Sequence, residues 1–334
     1  MRGVTARVYE SGKRLALGAA ATSVHWLGER AYFALGDGTV LSVARDGERQ
    51  RVTVHNGAIL CAAPHPDGAR LITGGDDGKL HIVAADGAIA PLFESRKWVD
   101  HVVASAATGL IIAGVGKEAI VFREEREAHR FSYPTSLGGL AIDAKGRRLA
   151  ATHYGGATLR YALMADDKGV ALKWAGSHLA CTLSPDADYL ITAMQENSLH
   201  GWRLPEKIDL RMDGYPAKTR SFSWDKRGRW LATSGADSAI VWPFVGKLGP
   251  QGKPPLQLIP RDGLVTAVAF HPTEERLAIG YSDGAVWLAS FATQGVDELD
   301  EPGEGAVTAL AWSADGAQLA IGDDAGRGAL ISFS

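Results

Sequence analysis

The chain has 334 residues, of which 46% are hydrophobic, with 35 Lys and Arg set against 38 Asp and Glu. This length and apolar content support a large buried core, and the near balance of charge excludes a protein built mainly to neutralise a nucleic-acid backbone or an anionic membrane surface. With only Cys61 and Cys181 present, a disulfide-stapled fold is excluded and a reducing compartment is expected.

Residues 1–20 scatter their charges and lack the continuous apolar stretch of a secretory signal, so a cytoplasmic location is expected. The longest uncharged apolar run, Val102 to Gly116, is too short and too interrupted by Ser, Thr and Gly to span a bilayer. From Ala21 onward the chain repeats one pattern: an alternating strand, a polar turn, an apolar strand, a Gly/Asp turn, then a third strand. The small residue closing each second strand recurs at Gly36, Gly74, Gly114, Thr152, Ala193, Ser234, Gly280 and Gly322, about 38 to 46 residues apart. Eight units result, beginning near residues 21, 58, 98, 137, 178, 219, 264 and 306. Asp37-Gly38, Asp77-Gly78, Asp283-Gly284 and Asp315-Gly316 suit tight hairpins, because Asp bonds nearby backbone and Gly accepts positive φ. The Pro/Gly-rich stretch 246–263 reads as a long connection in the sixth unit, with Leu256 to Ile259 as its outer strand. The eighth unit stops at Ser334 after its third strand, whereas Arg14 to Gly18 belongs to no unit. The N-terminal segment is therefore expected to supply the last unit's outer strand and remove an open sheet edge.

A period of this size is that of a four-stranded propeller blade. Leu277-Ala278-Ile279-Gly280-Tyr281-Ser282-Asp283-Gly284-Ala285-Val286-Trp287-Leu288, and Trp202 after Leu199-His200-Gly201, carry a resemblance to WD-repeat (WD40) β-propeller blades of bacterial cytoplasmic type. The resemblance extends over nearly the whole chain. It implies an all-β fold, a single closed propeller over residues 1–334 with eight four-stranded blades (seven as the alternative), and a role in holding other proteins. The family's Gly-His pair is missing from every unit and most lack the Trp-Asp ending, so its hydrogen-bonded tetrad is expected not to form.

No Gly-x-Ser-x-Gly elbow, P-loop, HExxH or CxxC occurs, and paired carboxylates sit in turns, so no enzymatic activity is expected. In the family, the loops between a blade's outer strand and the next blade, and between second and third strands, share the face that binds partners. Units three to six place Trp98, Asp100, His101, Tyr133, His153, Tyr154, Trp174, His178, Tyr215 and Arg220 in or beside such loops. Exposed aromatic and Arg side chains bury much area at modest entropy cost. The main expectation is thus a monomeric scaffold binding one or more proteins there, with no cofactor, nucleic acid or membrane. An alternative uses His101, His178 and Asp100 to hold zinc or a similar cation, in keeping with bacterial WD-repeat proteins that accompany metal-handling GTPases. A second alternative is a small molecule bound in the channel near Asp100 and His101.

Overall fold

The computed structural model describes residues 12–333 apart from 247 and 292. The expected N-terminal segment therefore lies outside the described residues up to position 11, as does Ser334. The described residues form thirty β-strands and no helix. Seven sheets result, six of four antiparallel strands and one of six.

The six-stranded sheet has a clear cause. Arg148–Tyr161 and Val170–Leu183 are each 14 residues long; the first lies within the fourth repeat unit, and the second runs from it into the fifth. Leu149 to Thr152 pairs with Gly139–Ile142, Gly156 to Leu159 pairs with Val170 to Lys173, and His178 to Leu183 pairs with Leu190 to Met194. The first long strand turns at Gly155 and Gly156 (φ 87° and 137°), and the second bends at Gly176 (φ 116°). Ala162 N then donates to Arg147 O at 2.8 Å, so the first strand folds back on itself without a break in the ladder. The expectation of eight separate blades is therefore corrected: the hydrogen-bonded count is seven.

The hairpins follow from their Asp-Gly pairs. Asp37 Oδ1 accepts from Thr39 N at 3.0 Å, Asp77 Oδ1 from Lys79 N at 3.1 Å and Asp283 Oδ1 from Ala285 N at 3.1 Å. Gly78 has φ 78°, and a Cβ there would strike the carbonyl oxygen of Ser95, so that position admits only glycine.

The chain packs as two compact units. One comprises residues 34–43 and 48–214, and its core lies between successive sheets. Ile72, Leu80, Val102, Ile111 and Phe122 fill one layer, and Ile112, Val121, Phe131, Leu140 and Leu149 the next. Leu172, Leu183, Leu190 and Trp202 fill the layer inside the six-stranded sheet.

The other unit comprises residues 215–333 with the described N-terminal residues to Phe33 and Ala44–Gly47. Its layers hold Val241, Val268, Leu277 and Ile279, then Val286, Leu288, Leu319 and Ile331. Lys13–Ala16 pairs antiparallel with Arg327–Ser332 as the fourth strand of the last sheet, with Leu15 opposite Gly328 and buried. Leu256–Leu258 is the outer strand beyond the Pro/Gly-rich connection. Tryptophans near the ends of first strands tie neighbours together: Trp312 Nε1 donates to Ala269 O and Trp26 Nε1 to Ala311 O, each at 3.0 Å.

Parts of the buried polar arrangement are nevertheless present, as sets of two or three bonded groups. In the second sheet, His55 Nδ1 meets Asp77 Oδ1 and His55 Nε2 meets Thr73 Oγ1, both at 2.9 Å, although His55 follows Val rather than Gly. In the fifth sheet Tyr215 stands where the histidine would be. Its hydroxyl accepts from Trp242 Nε1 at 2.7 Å and pairs with Thr233 Oγ1 at 2.6 Å, while Thr233 Oγ1 donates to Ile240 O at 3.1 Å. In the six-stranded sheet His178 Nδ1 pairs with Thr192 Oγ1 at 2.8 Å. A buried hydroxyl on an apolar strand needs a partner, which is a histidine in two of these sheets and a tyrosine in the third.

Candidate partner-binding surface

In the unit spanning residues 48–214, the loop after a sheet's outer strand is bonded to the hairpin between its second and third strands. Ser95 N donates to Gly78 O at 2.9 Å, Val99 N to Gly75 O at 3.1 Å and Leu137 N to Gly116 O at 2.7 Å. Both loop types are thereby held at one end of each sheet. Trp98 projects from the first of these loops and is 62% exposed. Its turn is pinned by Ser95, whose Oγ donates to Lys97 O at 2.7 Å and accepts from Lys97 N at 2.8 Å.

Tyr154 crowns the hairpin of Arg148–Tyr161 and is 65% exposed. Its backbone N donates to Thr135 Oγ1 at 3.1 Å, which joins the hairpin to the neighbouring loop. Trp174, half-buried, stacks on the His200 ring at 4.0 Å between centroids and 15° between planes. Its carbonyl accepts from His178 Nε2 at 3.1 Å.

The remaining expected residues lie elsewhere. Tyr133, His153 and His178 are buried, which corrects their placement on an exposed loop surface. Tyr133 packs among Phe131, Leu137 and Leu149, with the Arg160 guanidinium 5.5 Å from its ring centre, and burial raises its hydroxyl pKa. His153 Nδ1 donates to Tyr154 O at 2.9 Å and Nε2 pairs with Thr158 Oγ1 at 3.0 Å, so it shapes the hairpin from beneath. Tyr215 is likewise internal, in the other unit, and burial pushes its hydroxyl up to about 12. Arg220, also in that unit, is exposed, with its backbone N bonded to Ser234 Oγ at 3.0 Å.

The zinc alternative gains no geometric support. Both ring nitrogens of His178 are engaged, and His101 Nε2 lies 3.4 Å from Leu137 O and 3.8 Å from Asp100 Oδ1. Among the described residues no three His, Cys, Asp or Glu side chains cluster as a metal would require. Cys61 and Cys181 are free thiols, each with its pKa raised by burial, Cys181 to about 12. Such thiols are poor nucleophiles. No helix among the described residues is long and apolar enough to cross a membrane.

Stacked four-stranded antiparallel sheets of this kind define a β-propeller. Residues 47–83 match the family model for the WD domain, G-beta repeat, so that segment is similar to a WD40 repeat. The crystal structure of the computationally designed Ika8 protein is similar in fold, with a TM-score of 0.77 over 99% of this chain and 100% of that one, at 14% identity. No curated protein matches the chain in sequence.

Proposed function

We propose that the protein is a non-catalytic interaction platform of the cytoplasm, and that the unit spanning residues 48–214 holds a partner protein through Trp98, Tyr154 and Trp174. The observation that carries this reading is the exposure of Trp98 and Tyr154 on turns whose backbones are already hydrogen-bonded in place. Large aromatic side chains on rigid loops lose little freedom when covered, which is the physical condition for a binding hot spot. Lys97 and Lys173 flank them and favour an acidic partner.

The test is affinity capture from the source cytoplasm, followed by measurement of the captured protein's affinity. Trp98→Ala is expected to weaken that affinity at least about tenfold while leaving the melting temperature within about 2 °C of the parent, because the side chain packs against little. A partner held equally well by Trp98→Ala and Tyr154→Ala proteins would remove this surface from the reading.

A further inference from the structure

Tyr154 and Trp174 line an open groove of about 510 Å³ together with Gly155, Ala157, Ala171 and Leu172. The groove exists because the ladder slips. Gly156 pairs with Lys173, but the next pair is Tyr154 with Ser177, so Trp174 to Gly176 bulge out of register. The bulge lifts Trp174 away from the strand while His200 supports one face of its ring and His178 anchors its carbonyl. Opposite it, His153 anchors the carbonyl of Tyr154. Neither the Tyr154 hydroxyl nor the Trp174 indole N–H has a protein partner among the described residues. Pro134 closes one side of the groove, and the exposed Lys173 ammonium lines it.

We propose that this groove is a docking site for an extended, proline-rich segment of the partner that carries an acidic residue. This assignment rests on the interaction-platform reading above and specifies the chemistry that the same surface recognises. A polyproline II helix presents flat apolar rings on one side and carbonyls without internal hydrogen bonds on the other. The two aromatic rings, with Leu172 and the small Gly and Ala residues between them, accept the proline rings, and the free phenol O–H and indole N–H donate to the carbonyls. Lys173 supplies the complement to the acidic residue. An amphipathic helix would need a continuous groove of large apolar side chains, and here Tyr154, Trp174 and Leu172 are set among Gly and Ala. A proline-rich segment is already extended before binding, so a rigid groove suits it.

The test uses the full chain and two fluorescein-labelled nonapeptides, one of sequence PPEPPPEPP and one in which every proline is alanine, in an anisotropy titration. The proline peptide is expected to bind in the micromolar range, at least about tenfold more tightly than the alanine peptide. Tyr154→Ala and Trp174→Phe are each expected to weaken it, the second because the phenyl ring keeps the packing and loses the N–H. Raising the salt should weaken binding of wild type and have less effect on a Lys173→Gln variant. Equal affinity for the two peptides, no binding up to millimolar concentration, or indifference to Tyr154→Ala would overturn the proposal. If the proline peptide fails to bind while Tyr154→Ala still releases a stoichiometric partner, the platform reading stands and the proline-rich assignment falls. If both fail, the surface is not a docking site.

Discussion

Tyr215→Ala is expected to lose about 4 kcal/mol of stability, and Tyr215→Phe about 2 kcal/mol. The phenol is buried, and its hydroxyl is the central link between Trp242 Nε1 and Thr233 Oγ1. Phenylalanine keeps the ring but strands the indole N–H inside the protein, and a buried donor without a partner costs more than the net value of the bond it made. Alanine adds a cavity beside Trp242 to that penalty. Denaturant midpoints for Tyr215→Phe, Trp242→Phe and the double variant check the argument. The double variant should lose clearly less than the sum of the two single changes, because the second change removes the donor that the first one strands. Strict additivity would mean that water or another group already satisfies Trp242, and the relay would carry no special weight.

The same relay shows why the fold was legible in the sequence and its polar core was not. Strands and turns depend on local chemistry. Asp77-Gly78 and Asp283-Gly284 read as hairpins because Asp bonds a backbone N–H two residues on and Gly takes the positive φ, and both interactions are present. Tyr133, His153, His178 and Tyr215 read as loop residues because they stand outside the apolar runs, yet each is buried. Their burial depends on packing between sheets, which a repeat pattern does not encode. One signal was present all the same. Thr73, Thr192 and Thr233 each precede the marker residue of an otherwise apolar second strand, and each is fully buried. A hydroxyl there requires a polar partner, and it comes from His55, His178 and Tyr215, 14 to 18 residues upstream.

The fusion into a six-stranded sheet was hidden for a different reason. Gly155, Gly156 and Gly176 look like ordinary turn glycines, and the sequence does not distinguish a turn that ends a ladder from one that bends within it. The groove follows from that same bend. Trp98 and Tyr154 were legible because an exposed aromatic on a polar turn is anomalous in sequence as well as in space.

Acid is expected to destabilise the unit spanning residues 48–214 well above the pH at which carboxylates protonate. Burial lowers the pKa of His178, and burial lowers that of His200 to about 4. Asp209 Oδ1, 3.2 Å from His200 Nε2, pulls the other way, but its carboxylate is exposed and hydrated, so burial prevails. An unfolded histidine titrates near 6.5. Between pH 6.5 and 4 the unfolded chain therefore binds protons that the folded chain refuses, and stability falls as the pH drops through that window. For one histidine with a folded pKa near 4, the loss at pH 5 is about 2 kcal/mol relative to pH 7. Melting curves between pH 7.5 and 4.5 should show this slope, and His200→Gln should flatten it while costing some stability at neutral pH through the lost stack with Trp174. A parent protein whose melting temperature stays level down to pH 5 would mean that Asp209 outweighs burial at His200. The ring supporting Trp174 would then be free to carry a proton in the folded state.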